Sequence, residues 1–279
     1  MIHDRLIHRW TMKVGLAAAI VCVAGAACAQ APAVEDAKNA MTSAPAERCF
    51  IPQAEARFER ALSRTAQRVT AGLPVKIVAI GSSSTHGAGA TSKDATYPSR
   101  LAAYLADDLP NNDFTVVNRG VNGDTATEML ARFDQDVFAE KPDLVLWQVG
   151  TNSVLRGDPM QPHLSLLQTG LARLKQARMD VVLIDPQYAP RVIAKPNAKR
   201  MVSMIARTAK ERAINVFHRF ALMRHWREVA GLPFRTFLSP DQLHMNDWSY
   251  GCVARALGRA IAGAATRPME IVGAARRPR

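Results

Sequence analysis

The chain has 279 residues, of which 48% are hydrophobic and 22% charged, a composition that excludes a disordered chain, a collagen-like repeat and a multi-span membrane protein. Its 36 Lys and Arg against 24 Asp and Glu give a formal charge of +12, which favours acidic surfaces such as nucleic acid, phospholipid or anionic polysaccharide without choosing among them. Aromatic residues make up only 6% and interleave with no basic run, which argues against a stacking surface for single-stranded nucleic acid.

Residues 1–29 have the layout of an export signal. Arg5, Arg9 and Lys13 form a basic start, Val14–Ala27 is apolar and uncharged, and Ala27-Cys28-Ala29 supplies a small-x-small cleavage site before Gln30. The 14-residue apolar run falls short of the roughly 20 residues that a membrane-spanning helix needs; an uncleaved anchor is the alternative. Cleavage leaves 33 Lys and Arg against 23 Asp and Glu, or +10, with no transmembrane span expected and a periplasmic or secreted location. Two cysteines remain, Cys49 and Cys252. In an oxidising compartment they are candidates for a disulfide closing 203 positions, or else for two buried thiols.

Residues 30–52 are rich in Ala and Pro and are expected to be a linker. The spacing of Ala54, Phe58, Ala61, Leu62, Ala66 and Val69 predicts a helix over Gln53–Thr70. Apolar runs then predict strands at Val75–Ile80, Phe114–Val117, Leu144–Val149, Val181–Ile184 and Asn215–Phe220. Helical periods fall between and after them, near Tyr97–Leu109, Thr125–Phe138, His163–Ala177, Asn197–Ala213 and Trp248–Ala264. Apolar strands alternating with amphipathic helices predict one α/β domain over 53–266, a three-layer α/β/α sandwich on a five-stranded parallel sheet, with residues 267–279 as a basic tail. Such a sheet gathers its ligand site at the carboxyl ends of its strands.

Three polar, glycine-bearing loops are expected at that edge: Gly81–Gly87, Asn118–Thr125 and Gly150–Ser153. Far downstream stands Asp241-Gln242-Leu243-His244. Together they hold a hydroxyl, an imidazole, a carboxylate and donors for an oxyanion, the inventory of hydroxyl-based acyl transfer. The first loop has neither the Gly-Lys-Ser/Thr ending of a P-loop nor the Gly-x-Ser-x-Gly elbow of α/β-hydrolases.

These four blocks, in this order and spacing, resemble the SGNH hydrolases, also called GDSL esterases and lipases, from Val75 to about Ala264. The resemblance implies a flavodoxin-like fold in which Ser83 is the nucleophile, Asp241 and His244 complete a triad, and Ser83 and Gly123 N–H with the Asn152 amide form the oxyanion hole. One residue departs from the motif: Ser82 stands where the family usually has Asp. The implied activity is hydrolysis of carboxylic esters through an acyl-enzyme, on an acetylated glycan, a lysophospholipid or an aryl ester. Alternatives are an acyltransferase of the same fold, or a non-catalytic domain that binds an anionic envelope polymer, which the +10 charge and Ser82 favour. No metal is expected, since the remaining histidines form no cluster with Cys or carboxylates, and no cofactor or nucleic-acid partner is expected either; contact with an anionic envelope surface is compatible with the charge.

Overall fold

The computed structural model describes residues 49–267. The expected export signal, nearly all of the expected linker and the basic tail after Arg267 lie outside the described residues. Five parallel strands form one sheet: β1 (Val75–Gly81), β2 (Phe114–Gly120), β3 (Leu144–Gln148), β4 (Asp180–Ile184) and β5 (Asn215–Phe217). Their order is β2-β1-β3-β4-β5, the flavodoxin-like arrangement whose switch point lies between β1 and β3. Val78 pairs with Val117 on one side and Val145 on the other, and Leu146 pairs with Val182.

The three inner strands are covered on both faces, and their apolar runs are continuous for that reason. Ile77 to Ile80, Leu144 to Trp147, and Val182 and Leu183 are all fully buried. The edge strand β2 is only half buried, and its sequence changes to Asn118-Arg119-Gly120 before it ends. Helices α1 (Ser63–Thr70), α3 (Tyr97–Asp108) and α11 (Asp247–Ala265) pack together in one layer. On the opposite face lie α4 (Ala126–Ala131), α6 (Met160–Gln176) and α8 (Ala198–Glu211). Short helices at the strand ends complete the chain: α2 (Ser83–His86), α5 (Thr151–Arg156), α7 (Pro190–Ile193), α9 (Arg219–Glu228) and α10 (Phe234–Phe237).

Local periodicity misplaces several boundaries, each time because a tertiary contact overrides it. The helix expected over Gln53–Thr70 breaks into a 3-10 turn at Gln53–Ala56 and α1. Between them the backbone is bonded from far away: Arg60 N–H and C=O pair with the Asn215 carboxamide, and Arg267 donates to the carbonyls of Phe58 and Glu59. The helix expected over Thr125–Phe138 stops at Ala131 and resumes as a π turn, Asp134–Phe138. Phe133, fully buried, packs edge-on to Trp147 there. The fifth strand ends at Phe217 rather than Phe220, because Asp185 accepts the Phe220 N–H at 2.8 Å and chain 219–228 turns into helix. The helices of four to six residues, α2, α5, α7 and α10, escape a hydrophobic period because they contain too few turns to show one.

Cys49 and Cys252 are disulfide-bonded, joining the start of the described chain to the buried face of α11. Trp226 Nε1 adds a bond to the Phe50 carbonyl at 2.8 Å. In the chain-entropy account, closing 203 positions stabilises the fold by at most about 5 kcal/mol. Cys49→Ser therefore lowers the urea midpoint of unfolding, and reductant lowers that of the wild type but leaves the variant unmoved. Equal midpoints for wild type and variant without reductant would contradict the bond's contribution.

Candidate functional site

The carboxyl ends of β1, β2 and β3 bring three of the four sequence blocks together. Chain 81–86 turns directly from strand into helix, so that Ser82 precedes α2 and its carbonyl accepts from Thr85 and His86 N–H at 3.0 and 2.9 Å. Gly81 is required there: a Cβ would lie 2.2 Å from Thr85 Oγ1. The turn also sorts the three serines. Ser82 and Ser84 are buried, while Ser83 is partly open.

The second block continues β2 to Gly120 and then turns. Asn118 donates to the Thr85 carbonyl at 2.8 Å and Val121 N–H to the Gly81 carbonyl at 3.0 Å, tying this block to the first. Gly123 lies at φ +85° with open space where a side chain would stand, a backbone conformation that L side chains rarely adopt. Its carbonyl accepts from Arg156 at 2.7 Å, and the next carbonyl, Asp124, accepts from Asn152 Nδ2 at 2.8 Å. Two bonds from α5 thus orient the turn, while the N–H groups of Ser83 and Gly123 have no protein partner among the described residues. Asn152 keeps one of its two amide hydrogens for another acceptor.

Arg132 braces the same corner from below. It pairs with Asp124 at 2.8 Å and Asp136 at 2.6 Å, and donates to the Gly81 carbonyl at 3.2 Å. At the start of α4, Thr125 and Glu128 form a capping box, and the bond from Thr125 holds the Glu128 carboxyl down at about 2.

The fourth block hangs on a small antiparallel bridge, Leu238 to Met245. Ser239 N–H donates to the His244 carbonyl at 2.9 Å, and Gln242 takes φ +59° to close the turn. Asp241 Oδ1 accepts the N–H groups of Leu243 and His244, both at 3.0 Å, and Oδ2 pairs with His244 Nδ1 at 2.5 Å. Burial pushes the Asp241 carboxyl upward, but the three donors outweigh it and hold it below the usual carboxylate range. An ionised carboxylate only accepts, so Nδ1 carries the proton and Nε2 is left as the acceptor. His244 Nε2 lies 2.9 Å from Ser83 Oγ.

The structure therefore brings Ser83, Gly123, Asn152, Asp241 and His244 to one rim. The last helix is capped by Asn246, while the Asp241 carboxylate bonds its own turn and the imidazole. His86 is exposed and contacts the Gly120 carbonyl at 3.3 Å. Trp147 and Trp226 belong to the core. A cavity of about 710 Å³ borders the fourth block, lined by Gly89, Pro190, Phe234, Leu238 and Gln242 among others; Pro190, at the start of α7, forms part of its wall. Among the described residues no group of three His, Cys, Asp or Glu is placed to hold a metal.

Two buried glutamines were not singled out by the sequence. Gln148, at the end of β3, accepts from Ser82; Gln187, after β4, accepts from Thr151 at 2.9 Å and donates to the Leu243 carbonyl at 3.3 Å. Gln148 is a lone polar group inside an apolar stretch, Leu144–Val149, which is the signal that marks it; Gln187 follows Asp185-Pro186 and has no such signal.

A model of the family described as non-GDSL lipase-like matches residues 48–267. The chain belongs to that family. The description agrees with residue 82, a serine where the GDSL motif has aspartate. An arylesterase of Vibrio mimicus is 33% identical over 97 residues, 35% of this chain and 48% of that one. An acetylxylan esterase of Geobacillus stearothermophilus is 26% identical over 176 residues, 59% of this chain and 80% of that one. A two-domain esterase active on acetylated mannans has the same fold, with TM-score 0.65 at 20% identity, over 81% of this chain and 60% of that one. The chain thus spans about half the length of the arylesterase and three-fifths of the two-domain esterase.

Beneath Asn152, the neighbouring Ser153 hydroxyl meets Nδ1 of the buried His163 at 3.1 Å. Burial pushes this imidazole from 6.5 down to about 4, against the opposing pull of Asp158. A depressed folded value means that its contribution to stability is complete above pH 6.5 and is lost as the pH falls through 4. The stability gap between wild type and His163→Asn should therefore narrow by about 3 kcal/mol from pH 7 to pH 4. Urea titrations at the two pH values check it; a constant gap would mean that His163 is not held neutral.

Proposed function

We propose that this protein is an exported serine esterase that hydrolyses carboxylic esters through an acyl-enzyme on Ser83, with acetylated glycans as its principal substrate class. The observation that carries the reading is the unbroken relay from Asp241 Oδ2 through the His244 ring to Ser83 Oγ, with distances of 2.5 and 2.9 Å. A serine hydroxyl is a weak nucleophile at neutral pH and needs a base at this range.

In the first half-reaction His244 Nε2 takes the Ser83 proton as Oγ bonds to the ester carbonyl carbon. The carbonyl oxygen becomes an oxyanion facing the free N–H groups of Ser83 and Gly123 and the spare hydrogen of Asn152. Each such donor contributes about 2.7–4 kcal/mol to the transition state. Collapse of the tetrahedral species breaks the bond to the alcohol oxygen, which leaves with the proton from His244. Water then gives a proton to Nε2 as its oxygen bonds to the acyl carbon; the bond from that carbon to Ser83 Oγ breaks, Oγ takes the proton back from Nε2, and the acid leaves. Asp241 stays ionised throughout, holding the tautomer and stabilising the imidazolium.

For the substrate, the support is that an acetylxylan esterase and an esterase active on acetylated mannans are among its relatives. Aryl esters are the simple substrates to try first, given the Vibrio arylesterase. For export, the support is the basic, apolar and small-residue succession of residues 1–29.

A fluorophosphonate should label Ser83 and no other serine. Ser83→Ala and His244→Ala should each lower kcat by as much as about 10⁶-fold. Asp241→Asn, which disturbs the tautomer, should cost about 10⁴-fold. Near-full activity in any of the three would refute its role, and labelling elsewhere would refute the nucleophile.

A further inference from the structure

We infer that Gln148 is the positioning residue of the nucleophile turn, and that its side-chain carbonyl and the serine at position 82 are a matched acceptor and donor. The inference rests on the catalytic role proposed for Ser83. Strand β3 is apolar, Leu-Val-Leu-Trp, until Gln148, which is fully buried. Its Oε1 accepts from Ser82 N–H at 2.8 Å, Ser82 Oγ at 3.0 Å and Thr85 Oγ1 at 3.3 Å. All three donors come from the turn that presents Ser83. A buried backbone N–H without a partner is costly, and among the described residues Ser82 N–H finds its partner only in this oxygen. Gly81 makes room for it, since a Cβ there would stand 2.8 Å from Oε1. The amide nitrogen of Gln148 has no hydrogen-bond partner among the described residues. Only the acceptor half of the side chain is used.

That division has a chemical consequence for residue 82. A serine hydroxyl can donate to Oε1, whereas an aspartate carboxylate in its place would set acceptor against acceptor at about 3 Å. The serine that departs from the GDSL motif is therefore the residue this glutamine requires. Gln148 bonds Ser82 and Thr85 and not Ser83 Oγ; it acts by fixing the backbone that aims the nucleophile.

The test compares Gln148→Met with Gln148→Glu, and Ser82→Ala with Ser82→Asp, each first shown to be folded by its thermal transition. Methionine removes the acceptor at similar volume; glutamate retains an accepting oxygen. Gln148→Met should lower kcat about 100-fold, the scale of a 1 Å misplacement, with KM within about 3-fold, and Gln148→Glu should restore kcat to within about 10-fold of wild type. At position 82, alanine should cost about 3- to 10-fold, the scale of one neutral hydrogen bond, and aspartate more than alanine. A readout that needs no substrate is hydrogen exchange of the Ser82 amide relative to the Val78 amide. It should be slow in wild type and Gln148→Glu and faster in Gln148→Met. Glutamate no better than methionine, aspartate better than alanine, or unchanged Ser82 exchange in Gln148→Met would overturn the inference. Wild type inert toward all esters but with the predicted exchange pattern would instead count against the esterase reading. Should Gln148→Met fail to fold, the order of the two variants at position 82 decides.

Discussion

The hydrogen bond between Ser83 Oγ and His244 Nε2 joins residues 161 positions apart, and most of the fold is arranged so that it forms. Ser83 is fixed by a strand-to-helix turn at the carboxyl end of β1, in a sheet whose inner strands are buried on both faces. His244 is carried by a short loop outside the sheet, which on its own could take many conformations. What confines that loop is a set of backbone bonds: Asp241 to its own turn, Ser239 to His244, and Gln187 to Leu243. Leu243, buried beside the imidazole residue, adds an apolar anchor. A loop held this way loses little further entropy on reaching the bonded geometry.

The same economy governs the second and third blocks. Two carbonyls of the Val121–Asp124 turn are held by Arg156 and Asn152, so the Gly123 N–H is oriented without itself being used. Arg132 ties the turn to the Gly81 carbonyl and to two carboxylates. Donors that are already fixed need not reorganise when charge develops before them.

Much of this was legible in the sequence. The inner strands were visible as continuous apolar runs and the site as four polar blocks at the strand ends and before the last helix, while the choice of Ser83, Gly123, Asn152, Asp241 and His244 within those blocks came from the resemblance to the SGNH hydrolases. What stayed hidden was set by contacts between distant segments. The break after Ala56 depends on Asn215 and Arg267, and the early end of the fifth strand on Asp185, none of which has any local signature. Gln148 looks like an ordinary interruption of an apolar run, and Gln187 like a loop residue after Asp185-Pro186, until the partners they bond are seen. Ser82 could be recognised as a departure from the motif, but its partner could be named only once β3 was laid beside β1.

The central claim is that an acyl group passes through Ser83 while His244 moves the proton. Rapid quenching during turnover of an acetyl ester, followed by peptide mass spectrometry, tests it most directly. The account predicts a transient acetyl group on the Ser83 side chain that appears before steady state and is absent from the His244→Ala protein. Turnover with no acyl group on Ser83 at any time, or with one on a different side chain, would contradict it.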